Sequence, residues 1–175
     1  MRYYRDLKFG FFDHLPQCSI WIDRDFPEFY ALNYAHSGKV SMKTGEEGEE
    51  AFVLNAPVAW STWPGPRFQY GCSPAESWDH YFVTFSGERV QRYYAEGLLV
   101  ESSGELPCTL IGKPDEFRNR WLELFRLLRM KGEENHAQAV HCLEGMLLVL
   151  RRPAEVAMEE RYKFELDSLM SQIKN

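Results

Sequence analysis

No two of the four cysteines, Cys18, Cys72, Cys108 and Cys142, are close enough to form a Cys-x-x-Cys pair. Cysteines scattered this way read as free thiols acting as small hydrophobes, and zinc would need closer ligand spacing. The five histidines are dispersed as well, and His136 and His141, five residues apart on a helix, diverge. No metal and no cofactor is expected. The chain has no apolar run as long as a membrane span, and its start, Met1-Arg-Tyr-Tyr-Arg-Asp6, lacks a signal-peptide core. It reads as cytoplasmic, with no membrane partner. A basic stripe is missing too: the formal net charge is −6, a poor basis for holding nucleic acid unaided. No glycine-rich phosphate loop occurs, and no nucleophile-elbow motif surrounds Ser73, Ser77 or Ser86. No catalytic residue is assigned, and the chain is not read as an enzyme.

Aromatic residues are plentiful. Twelve Phe, nine Tyr and five Trp fall mostly in the N-terminal hundred residues of a 175-residue chain that is 45% hydrophobic. That composition excludes a disordered chain and suffices for one well-buried domain with an appendage. Trp63-Pro-Gly-Pro-Arg-Phe-Gln-Tyr-Gly71 reads as a tight turn feeding a strand, and Trp78-Asp-His-Tyr-Phe-Val-Thr-Phe85 as an aromatic strand returning. Period-two alternation puts Phe68 and Tyr70 on one face of the first. On the second it puts Trp78, His80, Phe82 and Thr84 on one face, with Tyr81, Val83 and Phe85 opposite. Both faces are apolar or aromatic, so the second strand is expected to be covered on both sides. A histidine among aromatics with a tyrosine hydroxyl nearby is the composition of a small-molecule pocket.

Upstream, 18–24 reads as a strand with Ile20, Ile22 and Arg24 on one face. The β segment from Phe29 to Met42 is broken at Ser37-Gly38, and short strands follow at 51–54 and 58–62. The four glutamates between Lys43 and Glu50 read as a solvated hairpin turn rather than a metal site, because clustered acids repel and stay in water. Helical spacing begins at Glu88 and returns from Pro114, where Phe117, Trp121, Leu124, Phe125 and Leu128 share a stripe. Asn135 is expected to cap a second helix of that hairpin. Val140, Leu143, Leu147 and Leu150 follow the three-four-three spacing of packed helices, with surplus apolar surface beside them. That seam is expected to make a homodimer. Glu155 to Asn175 carries a third helical pattern.

Together these stretches resemble the sensing domain of AraC-type transcription regulators. The Pro-Gly turn, the strand ending Tyr70-Gly71 and the Trp-rich strand ending in Phe85 come in that family's order. Ile22-Asp-Arg-Asp-Phe-Pro27 and Tyr34-Ala-His-Ser-Gly38 resemble its first strands, and Leu143 to Arg152 its dimerisation helix. The resemblance spans roughly Ile20 to Arg152 and implies an α+β fold, a cupin-like antiparallel jelly-roll barrel followed by a helical hairpin. On that reading 1–112 is the ligand-binding barrel and 113–153 the dimerising hairpin. Residues 154–175 become a linker and the start of a truncated DNA-binding domain. DNA would be reached only through helix-turn-helix units absent from this chain. The implied function is sensing of a small-molecule effector, expected to be a monosaccharide, bound in the barrel.

Many cupins bind a metal through a His-x-His pair, but the corresponding positions here are Phe68 and Tyr70, which supply no imidazole. Residue by residue, the resemblance implies that Arg24, Tyr70, His80 and Phe82 contact the ligand. At Phe82 the family's arabinose-binding member has a Trp, so a stacking face is kept and an indole donor lost. Each position also has a plainer reading. His80 could be a hydrogen-bonded core histidine, Arg24 an ion-pair partner of Asp23 or Asp25, and Tyr70, Phe82 and Trp78 core packing. For Trp78, packing is the better reading. One rival function is a metal-free cupin enzyme acting on a sugar, an isomerase or epimerase with His80 as base and Tyr70 as acid. Another is an interaction module whose interior is filled by its own aromatics.

Overall fold

The computed structural model describes residues 2–44, 52–73, 76–99 and 108–151. In chain order the elements are β1 (Lys8–Cys18), β2 (Ile22–Asp25), β3 (Tyr30–Ala35), β4 (Lys39–Thr44), β5 (Phe52–Asn55), β6 (Val58–Thr62), β7 (Arg67–Gly71) and β8 (Trp78–Ser86). Helix α1 (Glu88–Ala95), strand β9 (Cys108–Leu110) and helices α2 (Pro114–Arg129) and α3 (Glu133–Leu150) follow. One sheet has the order β1-β8-β3-β6-β9 and the other β2-β7-β4-β5. Every pair is antiparallel. Strands alternating between two sheets in this way make the jelly-roll connection of cupins, with β9 added at one edge. The α+β expectation holds. The barrel does not close: among the described residues no hydrogen-bonded pair joins the two sheets, which face each other as layers.

The strand expected over 18–24 is two strands. β1 is a long edge strand that ends at Cys18, and β2 begins at Ile22 on the opposite sheet. The alternation of β1 is interrupted twice, between Phe9 and Phe12 and between Leu15 and Cys18, where its register against β8 shifts. Each shift inserts a residue, and this irregularity is what hides the strand from a period-two reading. The Ser37-Gly38 break is the β3–β4 turn. Gly38 has φ +92, and a Cβ there would lie 2.9 Å from the Trp78 Cα, so glycine lets β8 start against the turn.

Two cores lie on the two sides of the five-stranded sheet. Between the sheets are Ala35, Val58, Trp60 and Trp78 from one layer and Val40, Met42, Phe68 and Tyr70 from the other. On the outer side Leu32, Tyr34, Tyr81, Val83 and Phe85 meet Val90 and Tyr93 of α1, Phe117, Trp121, Leu124 and Phe125 of α2, and Val140, Leu143 and Leu147 of α3. Strand β8 is therefore covered on both faces, as its sequence implies. Each of those large side chains contributes about 1.5–3 kcal/mol by burial. Pro114 occupies the first turn of α2, with Asp115 and Glu116 beside it at the positive end of the helix dipole.

Two expectations for the hairpin are corrected. The residue before α3 is Gly132, not Asn135, whose amide donates instead to the Lys131 carbonyl at 3.2 Å. The seam read as a contact between copies is filled within the chain: Val140, Leu143 and Leu147 are fully buried, and Leu150 is half-buried. The buried residues of α3 join one apolar cluster with α1, α2 and the outer face of the sheet, while Leu148 remains exposed. The glutamate-rich turn at 45–50 and the helical pattern from Glu155 lie outside the described residues.

The N-terminus is fastened to this helical layer. The Arg89 guanidinium, almost wholly buried, donates to Asp6 at 2.8 Å, to Glu144 at 2.9 Å and to the Tyr3 carbonyl at 2.8 Å. Burial alone would raise the Asp6 pKa, but the hydrogen bond and charge of Arg89, with Arg92, outweigh it and hold the carboxyl below its ordinary value.

Candidate functional site

At the edge where β1 and β2 face each other, the sandwich opens into a cavity of about 400 Å³. Strand β8 contributes His80, Phe82 and Thr84, β3 contributes Ala31 and Asn33, β7 Tyr70, and β2 Ile22 and Arg24. Phe11, Leu15 and Cys18 come from β1. The bulges in β1 keep all three on the inner side: Leu15 and Cys18 are three apart and would otherwise point opposite ways. The first bulge is stitched by Thr84, whose hydroxyl accepts from the Phe11 N–H at 2.6 Å and donates to the Phe11 carbonyl at 3.1 Å. Gly10 permits this approach, since a Cβ there would lie 2.6 Å from the Thr84 Oγ1. The result is a rim at which Phe11 is 70% exposed.

All four residues assigned to ligand contact therefore line one cavity. Tyr70 pairs with Ile22 and Phe68 with Arg24 across β2 and β7, which puts Arg24 and Tyr70 on the same inner face. Arg24 stands exposed at the mouth with its guanidinium over the Phe26 ring, 5.1 Å from the centroid. It has no carboxylate partner among the described residues, because Asp23 is taken by Arg67 at 2.7 Å. His80 is buried, stacked on Trp78 at 4.0 Å and flanked by Phe82 at 5.4 Å. Burial depresses its pKa to about 3, with the charge of His14 a smaller cause, so the ring is neutral at ordinary pH. Its Nε2 lies 3.2 Å from the Asn33 Oδ1, where a neutral ring donates its one proton. Burial likewise raises the Tyr70 pKa, opposed by the Arg24 charge, and its hydroxyl stays protonated.

Asn33 was not among the residues singled out from sequence. It is 1% exposed, and its Nδ2 has no hydrogen-bond partner. Leaving such a donor unpaired costs about 1–3 kcal/mol. The signal was present in Tyr30-Ala-Leu-Asn-Tyr-Ala35, where alternation sets Ala31, Asn33 and Ala35 against Leu32 and Tyr34. A small and polar face on a buried strand leaves room and a hydrogen-bonding group. Trp78 proves to be core, 1% exposed. Phe68 is core too, meeting Trp63 at 5.0 Å and Phe26 at 6.0 Å. Aromatics thus fill one end of the sandwich while the β1–β2 end stays open.

Two other polar regions have their needs met. A larger cleft of about 740 Å³ lies between the start of β1 and the α2–α3 turn. There Arg5 pairs with Glu133, and His136 is 2.9 Å from the Tyr4 carbonyl. At the end of the outer face His14 bonds Asp79 at 2.6 Å, and Tyr34 bonds His36 at 2.8 Å and donates to the Pro114 carbonyl at 3.3 Å. That cluster ties the sheet to the start of α2. Among the described residues no group of three or more His, Cys, Asp or Glu could hold a metal ion, and no helix is long and apolar enough to cross a membrane.

A histidine that protonates only near pH 3 and a tyrosine raised by burial are displaced from the range that general acid–base catalysis uses at neutral pH.

No family model matches the chain, and no curated protein is similar to it in sequence. Among solved structures, the Schizosaccharomyces pombe Cnp3 cupin domain aligns at 10% identity over 55% of this chain and 74% of its own, with a TM-score of 0.34. The oxalate decarboxylase of Lactobacillus farciminis, in a formate complex, aligns at 12% identity over 38% of this chain and 20% of its own, with a TM-score of 0.29. A mutant Bacillus subtilis oxalate decarboxylase aligns at 10% over 39% and 18%, also at 0.29. The chain therefore matches about a fifth of the decarboxylases' length. Likenesses this weak carry no inference about function.

Proposed function

We propose that this chain is the effector-binding unit of a bacterial AraC-type transcription regulator, with a small organic molecule held between the sheets. One observation carries the reading: Arg24, Tyr70, Phe82 and a neutral His80 hydrogen-bonded to Asn33 line a single cavity between the sheets. The volume of about 400 Å³ suits a ligand of monosaccharide size, with Phe82 as the stacking face. The regulator assignment rests on the sequence resemblance and on the jelly roll followed by two helices. DNA contact falls to helix-turn-helix units expected beyond those helices.

Dimerisation belongs to the same proposal. Its contact would use the exposed side of the helical pair, where Leu122 and Leu148 stand about half exposed, rather than the buried seam. Sedimentation equilibrium checks it, and a monomer at high micromolar concentration removes this part.

The site is tested by a thermal-shift screen of pentoses, hexoses and sugar acids followed by calorimetry on Phe82→Ala. A ligand that stabilises the wild type and binds Phe82→Ala at least several-fold more weakly supports the reading. A ligand indifferent to Phe82 removes it.

A further inference from the structure

We infer that the ligand is a small monocarboxylic acid with an apolar body, in preference to a neutral polyol. This rests on the β1–β2 cavity being the binding site. A sugar hydroxyl brings a proton as well as lone pairs, so a site for a neutral sugar must offer acceptors, and carboxylates serve best. Among the described residues, none that lines this cavity is Asp, Glu or Gln. The Asn33 Oδ1 is already engaged by His80, and the Thr84 hydroxyl by both backbone groups of Phe11. Of the other polar groups, the Arg24 guanidinium donates only and carries charge, the Tyr70 hydroxyl donates or accepts, and the His80 Nδ1 is an acceptor when the ring donates through Nε2.

The rest of the lining is apolar, with Leu15, Ile22, Phe26 and Phe82 around the space. A neutral polyol would bury its hydroxyl protons against hydrocarbon there, which is unfavourable. An acid with an apolar body places its chain or ring against those side chains and its charge at the mouth. There Arg24 is fixed over Phe26 and is not neutralised by Asp23, which Arg67 holds. The guanidinium fork matches a carboxylate, and Tyr70 on the adjacent strand can add a hydrogen bond.

The test pairs each acid with its own amide, so that size and apolar surface stay nearly constant while the charge changes. Phenylacetate against phenylacetamide and hexanoate against hexanamide are titrated calorimetrically near neutral pH, with glucuronate, glucose and arabinose alongside. Wild type, Arg24→Gln and Phe82→Ala are compared, with Ala31→Trp as a variant that fills the cavity. The expected result is that at least one acid binds roughly tenfold to a hundredfold tighter than its amide. Arg24→Gln then erases that difference without lowering the melting temperature, and added salt weakens the acid but not the amide. If no acid binds, if amides match their acids, or if Arg24→Gln leaves the preference intact, the inference is overturned. Neutral sugars that bind and are weakened by Phe82→Ala would overturn the ligand class while leaving the site in place. Ligands of either kind that bind Ala31→Trp as well as wild type would overturn the site itself.

Discussion

The two faces of strand β8 carry side chains of similar size and aromatic character, yet they face different interiors. Tyr81, Val83 and Phe85 meet three helices in a core whose apolar side chains interlock. Trp78, His80, Phe82 and Thr84 face the second sheet, where the space is incompletely filled and Asn33, Trp60, Thr62 and Trp78 each have a buried polar atom without a partner. On the outer face the Trp121 Nε1 is in that position, within an otherwise apolar setting. The difference is one of packing. The outer face is closed by helices of matching hydrocarbon, whereas the inner face keeps room and several unserved polar atoms, as a ligand-binding face of the kind proposed would. Substitutions on the two faces should separate accordingly, outer ones acting on stability and inner ones on binding.

The largest effect is expected on the outer face. Leu143→Asp with Leu147→Asp would put two charges into a core that is fully buried within one chain, and the protein should not fold. Leu147→Ala should cost about 2–5 kcal/mol, read from denaturant titration. A folded Asp double variant that merely changes its sedimentation would show that the seam is a contact between copies after all. Trp78→Ala, on the inner face but in its filled end, should behave like an outer-core change and cost about 3–5 kcal/mol.

Next comes a pH effect traceable to one residue of the inner face. His80 has a folded pKa depressed to about 3 from an ordinary 6.5, so between those values the unfolded chain binds a proton that the folded chain does not. Its contribution to stability is present above about pH 6.5 and is lost as pH falls toward 3. Melting temperature should decline over that window in the wild type and decline less steeply in His80→Gln, which removes the titrating ring. Equal slopes in the two proteins would place the ring in a wetter setting than the one described.

Much of this division was legible in the sequence. Period-two alternation separated the two faces of β8, and the positions carried over from the resemblance, Arg24, Tyr70, His80 and Phe82, converge on one cavity. Three things were not legible. The bulges of β1 break the alternation that would have marked it as a strand, so Phe11 and Leu15 were missed as lining. Asn33 carries its meaning only through what it lacks, a partner for Nδ2, and a missing contact has no local sequence pattern. Apolar spacing on α3 records burial but not by what: Val140, Leu143 and Leu147 are buried within the chain, whereas Leu148 is exposed.

The smallest stability changes should accompany the clearest binding changes. Arg24→Gln and Phe82→Ala lie at the open edge, exposed and half-buried respectively. Arg24→Gln should shift stability by no more than about 0.5 kcal/mol. Phe82→Ala should cost less than the 3–5 kcal/mol or so of a fully buried aromatic. The exposed Arg67–Asp23 pair provides the baseline: Arg67→Ala should change stability by less than about 1 kcal/mol and leave ligand affinity unaltered. If Arg67→Ala weakened binding as much as Arg24→Gln, the guanidinium effect would be one of general surface charge.

The most direct test is a crystal structure of the protein with whichever compound the calorimetry identifies. Electron density between the sheets, with the ligand on the Asn33 amide, stacked on Phe82 and reaching Arg24 at the β1–β2 edge, is the predicted result. Density in the larger cleft beside Phe9, Leu128 and Met130, with the space around Asn33 unchanged, would contradict it.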